Sequence, residues 1–192
     1  PDALPLLEFC LERLYRDTLD PEDPEGLERR RDLLTWDAYV EMKGLSGAIA
    51  TEADQAYHQL SPSAKGARDS LFGNLVRVDG TVTCRRADLR ELQKMPGATA
   101  FLETFLGAKL LVTDEEGGRP VVTLAHESLL SYWPVLSEWI TEHISDLAAH
   151  QRLIRQANLW EENKRSGKYL LAEGHLAEAD RVAASSMFLL DD

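Results

Sequence analysis

The sequence lacks a phosphate-binding loop of the form Gly-x-x-x-x-Gly-Lys-Ser/Thr, so the chain by itself has no motif that cradles a nucleoside triphosphate. It also lacks any apolar run near the roughly 20 residues that a membrane-spanning helix needs. No basic and then apolar leader follows Pro1, so no signal peptide is predicted. Because the chain begins within a helical pattern, we expect it to be a piece of a longer protein.

Cysteine is scarce, which argues against a disulfide framework. The two cysteines, Cys10 and Cys84, lie far apart and do not have the spacing of metal ligands. Each lies in an apolar stretch, which favours buried free thiols in a reducing compartment. We therefore expect a cytoplasmic protein.

Basic charge is also scarce, with 21 basic against 33 acidic residues and a formal net charge of −12. The first 60 residues carry −8, residues 61–125 carry +1, and residues 126–192 carry −5. So acidic a chain repels a phosphate backbone unless it has a concentrated basic face. We expect neither nucleic acid nor membrane as a partner.

No arrangement of residues indicates catalysis. The five histidines are scattered, and although His143 and His150 share one helix face, no third metal ligand lies near them in the sequence. No serine has the Gly-x-Ser-x-Gly context of a hydrolase. We predict no catalytic residue, no metal site and no cofactor in the chain alone, so the chain is not expected to be an enzyme.

Helical spacing of apolar residues predicts a mostly α fold. A charged, proline-broken and exposed loop is predicted over Asp17–Arg31. Helices are predicted over Leu4–Arg16, from Thr35 to about Lys43, and over Ser46–Leu60, Pro62–Leu75, Ala87–Lys94, Thr99–Lys109, Pro134–His143, Leu147–Arg165 and His175–Ser185, with Met187–Asp192 expected to fray.

Two extended regions interrupt the helices. Leu75–Cys84 reads as a short strand, a turn and a second strand, and Leu110–Leu124 reads as a hairpin whose turn includes Gly117 and Gly118. Helix, strand, two helices and a hairpin is the order of a winged helix. The predicted fold is thus a helical bundle plus a winged-helix subdomain with a small β-hairpin, followed by a helical hairpin.

Three parts are predicted along the chain. Residues 1–60 form a helical subdomain with the exposed loop 17–31, residues 61–133 form the winged-helix subdomain, and residues 134–192 form a C-terminal helical segment leading to a missing downstream region. The run from Val121 to Pro134 joins the last two parts. It delivers His126 from the end of a buried strand to the first turn of a helix, where its side chain can point at whatever lies against the strand end.

Several segments, taken in order, resemble the C-terminal half of the novel STAND NTPase domain, a domain of regulatory P-loop switches. The resemblance covers nearly the whole chain except Asp17–Arg31 and rests on these segments: Leu4-Pro-Leu-Leu-Glu-Phe, Leu34-Thr-Trp-Asp-Ala-Tyr, Gly44-Leu-Ser-Gly-Ala-Ile-Ala, Arg85-Arg86, Leu110-Leu-Val-Thr-Asp, Ala125-His-Glu-Ser-Leu-Leu, Tyr132-Trp-Pro-Val-Leu, Trp160-Glu-Glu and Tyr169-Leu-Leu.

The resemblance implies the partners and the nucleotide. In such switches an ATPase core with its Walker motifs precedes this region, the nucleotide is ADP or ATP, and a repeat or sensor domain follows, typically in large bacterial proteins. Pro5 matches the proline that touches the adenine, and His126 matches the winged-helix histidine that senses the β-phosphate of bound ADP. Elsewhere in the class an aspartate follows that histidine, whereas Glu127 follows it here.

The chemistry of histidine suits such a role. An imidazole has a donor at either ring nitrogen and titrates near neutrality, so it can bind a phosphate oxygen without the permanent cost of a buried charge. The resemblance therefore implies a regulatory module that holds the ADP-bound closed state and relays a signal. For His126 the alternative from pattern alone is a helix-start residue that bonds the backbone, and for Pro5 it is a proline in the first turn of a core helix.

Two other functions stay open. One is a protein–protein interaction scaffold that uses no nucleotide. The other is a winged-helix DNA-binding regulator, in which Thr99–Lys109 would enter the major groove, with Arg85, Arg86, Arg90 and Lys94 as a small basic cluster. The predicted groove helix has Lys109 as its single base, and the net charge also argues against DNA.

Overall fold

The computed structural model describes residues 43–170, 173–185 and 187–188, together with the single positions Leu11 and Val40. Most of the predicted helix Leu4–Arg16, the predicted loop 17–31 and most of the helix expected from Thr35 lie outside the described residues. Leu11 is helical, as predicted, and its side chain is 42% exposed.

The described part of the chain is mostly helical, with two small antiparallel sheets. The helices are α1 (Gly44–Gln59), α2 (Pro62–Gly66), α3 (Arg68–Leu75), α4 (Leu89–Gln93), α5 (Ala98–Gly107), α6 (Ser128–Tyr132), α7 (Pro134–Glu162) and α8 (Glu173–Ala184), with a 3₁₀ turn at Gly167–Tyr169. The strands are β1 (Val76–Asp79), β2 (Thr81–Cys84), β3 (Ala87–Asp88), β4 (Leu111–Glu116) and β5 (Arg119–Leu124). This agrees with the predicted bundle and hairpin.

Capping residues fix where several helices begin. The Ser61 hydroxyl accepts the backbone N–H of Ala64, and Pro62 occupies the first helical position, where no N–H is needed. Trp133 is extended because a proline follows it, and Pro134 then opens α7. The predicted starts at Pro62 and Pro134 are therefore confirmed.

The strands form a two-stranded sheet, β1–β2, and a three-stranded sheet in the order β3-β5-β4. The predicted helix over Ala87–Lys94 is wrong at its start, because Ala87 and Asp88 pair with Val122 and Val121 of β5. Asp88 then caps the shorter α4, its carboxylate accepting the N–H groups of Arg90 and Glu91.

Glycines make two of the turns. Gly117 and Gly118 have φ angles of 58° and 78°, and two consecutive positive φ angles are what a tight hairpin turn of this hand requires. At Gly97 the reason is space as well as conformation, because an added Cβ would lie 2.3 Å from the carbonyl oxygen of Ser63. This close approach lets the start of α5 pack on α2.

One continuous buried cluster extends from Ile49 to Phe188. The apolar spacing on either side of Pro134 predicts that Trp133 and Trp139 pack in the core, and they are 0% and 1% exposed, which confirms this. The Trp133 ring lies 5.5 Å from those of Phe72 and Phe105, within the range of favourable aromatic pairs. This cluster includes residues from all three predicted parts. The division of the chain into three parts stays a prediction.

The C-terminal region is a helical hairpin. The predicted helical segments Pro134–His143 and Leu147–Arg165 belong to one helix of 29 residues, α7, which ends at Glu162, and α8 packs back against it. Arg181 pairs with Asp146 at 3.0 Å, and Arg152 pairs with Glu178. These ion pairs join the two helices in antiparallel orientation.

Fraying after α8 was predicted and is wrong for Met187 and Phe188. Both side chains are buried, Met187 against α3 and Phe188 against α7. Among the described helices, none combines the length and the apolar character needed to cross a membrane.

Candidate functional site

His126 lies in the short connection between β5 and α6, and it is half-buried. The strand end is fixed next to it, because the N–H of Ala125 donates to the carbonyl of Leu110 at 2.9 Å. The helix begins just after it, with the N–H of Leu129 donating to the carbonyl of His126. The histidine thus occupies the junction of strand and helix where the sequence places it.

The imidazole makes a local bond to the start of α6. Its Nδ1 accepts the backbone N–H of Ser128 at 3.0 Å and lies 2.8 Å from the Ser128 hydroxyl. This bond occupies one of the helix N–H groups that would otherwise lack a partner, so the side chain caps the helix. The helix-start role that the pattern allowed for His126 is therefore present.

The same bond determines which ring nitrogen remains for another partner. Because an N–H donor points at Nδ1, the proton of the neutral imidazole belongs on Nε2. No group in the described part of the chain bonds Nε2 of His126. The arrangement can therefore offer one N–H donor, which suits an oxygen acceptor such as a phosphate.

Cys84, at the end of β2, lies beside this junction. Burial, and after it the nearby carboxylate of Glu127, raise the pKa of Cys84 to about 12, so the thiol stays protonated near neutral pH. A protonated thiol is a poor nucleophile and a poor metal ligand. Cys84 is a free cysteine, as the sequence predicts, and Cys10 lies outside the described residues.

Pro5, the predicted adenine contact, also lies outside the described residues. The structure therefore does not bring Pro5 and His126 together or separate them. Of the two predicted site residues, only His126 has a described environment.

A cleft of about 550 Å³ lies between α4 and the β4–β5 hairpin, and His126 is not one of the residues that line it. Three arginines line it, namely Arg85, Arg86 and Arg119, together with the carboxylates Asp88, Glu91 and Glu116. Arg85 and Arg86 belong to the basic cluster seen in the sequence, but Arg90 and Lys94 are not among the lining residues. The sequence did not predict that Arg119 belongs to this group, because Arg119 follows the hairpin turn and is brought to the cleft by the pairing of β4 with β5.

The acids in the cleft are already engaged. Asp88 caps α4, Glu91 accepts from Lys94 at 2.7 Å, and Glu116 lies 4.0 Å from Arg86. The cleft therefore has mixed charge with partly satisfied groups, and it does not form the concentrated basic face that a nucleic acid needs.

The surface of α5 is also unlike that of a DNA-reading helix. Its inward side is made by Phe101, Leu102 and Phe105, and exposed positions are occupied by Thr99, Ala100, Glu103 and Gly107. Reading of base edges relies on arginine, lysine, asparagine or glutamine side chains. The helix offers small side chains and one acid instead.

The other histidines have local partners. Nδ1 of His143 lies 2.9 Å from the carbonyl of Trp139, and His150 is buried against the ring of Phe188. In the part of the chain that the structure describes, no group of three or more histidine, cysteine, aspartate or glutamate residues could hold a metal ion.

Comparison with known proteins identifies the family. The family model described as Novel STAND NTPase 1 matches residues 1–168 of the 192-residue chain. No curated protein and no solved structure matches the chain. The family match spans the described fold from α1 through α7 and includes the His126 junction, so the chain is part of a STAND NTPase domain and belongs to the novel STAND NTPase 1 family.

Proposed function

We propose that this chain is the regulatory helical and winged-helix module of a cytoplasmic STAND-type nucleotide switch, and that it stabilises the ADP-bound closed state and relays a signal. The nucleotide and the P-loop core belong to the parent protein, and a repeat or sensor domain follows the module. The chain itself catalyses nothing. Family membership supports the general class, and the geometry of His126 supports the specific role.

The orientation of His126 is the observation on which the proposal depends. Capping of α6 through Nδ1 holds the ring in one orientation and leaves Nε2 as the remaining donor. A β-phosphate of ADP, presented by the P-loop core, would accept that N–H. One such bond is worth about 1–3 kcal/mol, which is enough to change a two-state domain arrangement by about 5–150-fold.

The topology around His126 supports a winged helix. A helix, a strand, two helices and a hairpin occur in the order α3, β3, α4, α5 and β4–β5, and β3 pairs with the second hairpin strand. The β1–β2 hairpin is an addition between the first helix and β3. In this arrangement His126 follows the last strand of the winged helix, which agrees with the position of the sensing histidine in the class.

The two rivals make different predictions. A DNA-binding regulator needs basic or amide side chains on α5, and this helix has none among its exposed positions. A scaffold without nucleotide needs no special chemistry at His126. Retention of ADP by the full-length protein therefore discriminates the switch from the scaffold.

The test uses two substitutions of His126 in the full-length protein. His126→Asn keeps a short side-chain acceptor for the N–H of Ser128 but removes the imidazole Nε2, whereas His126→Ala removes both. We expect both variants to lose labelled ADP about tenfold more readily, in line with one lost polar contact. The melting temperature should fall only for His126→Ala.

Two results would contradict the proposal. If wild-type full-length protein retains no ADP, the scaffold reading replaces it. If His126→Asn retains ADP like the wild type while His126→Ala does not, the histidine is a capping residue and has no part in sensing.

A further inference from the structure

The cleft between α4 and the β4–β5 hairpin has a lining that the three-stranded sheet holds in place. Its apolar part comes from Ala87 of β3 and Val121 of β5, both of which are buried in the paired strands. Its volume of about 550 Å³ lies in the range of small-molecule sites, roughly 300–1,000 Å³. The cleft is therefore large enough for a small organic ligand.

Two arginines from separate segments meet at this cleft. Arg119 begins β5, and its partner across the hairpin is Glu116, so the two side chains lie on the same face of the sheet. Arg86 immediately precedes β3, and its Nη1 lies 4.0 Å from Oε2 of Glu116. Strand β5 thus positions both guanidinium groups beside one carboxylate, Arg119 as its first residue and Arg86 through the pairing of β3.

The donors of these two arginines are not committed to other groups. The ion pairs of Arg86, at 4.0 Å to Glu116 and 3.6 Å to Asp114, are longer than hydrogen bonds and join exposed side chains, so they are weak. In the part of the chain that the structure describes, Arg119 has neither a hydrogen bond nor an ion pair. Both guanidinium groups can therefore turn toward a ligand without losing a hydrogen bond.

The other two acids that line the cleft do not compete for these arginines. The carboxylate of Asp88 accepts two backbone N–H groups of α4, and Glu91 accepts from Lys94 at 2.7 Å. The half-buried Arg85 also lines the cleft and adds its positive charge. Glu116 is thus the lining carboxylate that faces the arginines.

The charge of the whole chain limits the size of an anionic ligand. With a formal net charge of −12, the chain repels a long polyanion outside the cleft, whereas a small anion inside the cleft lies next to the arginines. A guanidinium binds a carboxylate through two parallel N–H donors. Two guanidinium groups from different segments therefore suit a small molecule that has two carboxylates.

We propose that this cleft binds a small dicarboxylate, with one carboxylate on Arg86 and the other on Arg119, and that Glu116 is an internal carboxylate that competes for the same two side chains. The bound ligand connects the β4–β5 hairpin to the segment between β2 and β3. His126 does not line this cleft, so the site does not depend on nucleotide binding.

The ligand class is tested by titrating the full chain with succinate and with glutarate, which separate their carboxylates by different lengths. Binding is followed through the side-chain Nε–H signals of the arginines in nitrogen–proton correlation spectra. We expect saturable shifts for Arg86 and Arg119 with at least one of the two diacids. Butyrate, which has the four carbons of succinate but one carboxylate, should bind at least about tenfold more weakly.

The two arginines are tested by substitutions that remove one positive charge each. Arg86→Gln and Arg119→Gln should each weaken binding of the diacid at least about tenfold. Arg90→Gln is the matched control, because Arg90 is exposed on the neighbouring α4 but does not line the cleft. It should change the affinity by less than about twofold at the same ionic strength.

The role of Glu116 is tested by a matched pair on β4. Glu116→Gln removes the internal competitor and should strengthen binding of the diacid about threefold or more. Glu115→Gln removes the same charge from the adjacent position, whose side chain points to the opposite face of the strand and does not line the cleft. It should leave the affinity nearly unchanged, and this pair tests the site even if an arginine variant does not fold.

Three results would overturn the proposal. The first is the absence of saturable shifts with both diacids, and the second is butyrate binding as tightly as succinate. The third is an equal gain of affinity in Glu115→Gln and Glu116→Gln, which would indicate a general effect of charge. Inorganic phosphate is titrated in parallel, and tighter binding of phosphate than of either diacid at the same arginines would show that the ligand class is wrong.

Discussion

The indole nitrogen of Trp139 donates a 2.9 Å hydrogen bond to a carboxylate oxygen of Asp69, which lies in the first turn of α3. This bond joins the long helix α7 to the middle of the chain. Trp133, six residues earlier and equally buried, has no acceptor for its indole nitrogen within the described residues. Two tryptophans of the same core thus differ in how their polar atom is satisfied.

We expect the Asp69–Trp139 bond to contribute about 1 kcal/mol to stability. Asp69 also pairs with Arg68 at 2.9 Å, so a single substitution does not isolate the bond. A double-mutant cycle of Asp69→Ala and Trp139→Phe, read from urea unfolding, measures the coupling directly. Asp69→Asn, which keeps an acceptor oxygen, should retain most of the stability. Strict additivity of the two single changes would mean that the bond contributes nothing.

Trp133→Ala should lower the free energy of unfolding by about 3–5 kcal/mol, because it removes a large ring and leaves a cavity among Tyr57, Phe72 and Phe105. Trp133→Phe should cost less, since it also removes the unsatisfied indole N–H. The neighbouring Tyr132 is 58% exposed, so Tyr132→Ala is the matched control and should change stability by less than about 0.5 kcal/mol. Equal unfolding midpoints for the two alanine variants would contradict the assigned core.

Stability should decrease as pH falls through the range between about 6.5 and 4, in part because of His150. Burial, and after it the positive charge of Arg85, lower the pKa of His150 from 6.5 to about 4 in the folded chain. Over this range the unfolded chain binds the proton first, so acid favours unfolding, and the contribution is complete above pH 6.5. Between pH 7.5 and 5 the loss from this group should be on the order of 1–2 kcal/mol, measured by urea unfolding.

His150→Phe identifies this part of the pH dependence, because it keeps an aromatic ring against Phe188 but removes the titrating group. Relative to the wild type, this variant should gain stability, on the order of 1–2 kcal/mol, as the pH is lowered from 7.5 to 5. His143→Phe is the control, since His143 lies on the same helix and also stacks on an aromatic ring, that of Trp139. Parallel pH profiles for wild type and His150→Phe would show that His150 is not the responsible group.

The isolated chain should neither bind nor hydrolyse ATP appreciably, because it contains no P-loop to hold the phosphates. Equilibrium dialysis with labelled ATP and a phosphate-release assay on the purified chain test this directly. The prediction would be contradicted by phosphate release above that of a buffer blank, provided that this activity elutes together with the protein in a final gel-filtration step.

Local signals in the sequence determined much of this protein. Ser61 with Pro62, Pro134 behind Trp133, and Gly117 with Gly118 act within a few residues of themselves, so helix starts and the hairpin turn could be predicted. The burial of Trp133 and Trp139 followed from helical spacing in the same way. His126 was recognised because its strand, turn and helix are consecutive in the chain.

Contacts between distant residues were decided only by the tertiary structure. Ala87 and Asp88 form a strand instead of a helix because β5, more than 30 residues later, offers backbone partners, and short segments have too little propensity of their own to resist such pairing. Arg119 joins Arg85 at one cleft by the same sheet register. Met187 and Phe188 follow a run of small and polar residues, which led to the prediction of fraying. Both are nevertheless buried, because Gly73 and Asn74 of α3 contact Met187 and His150 of α7 stacks on Phe188.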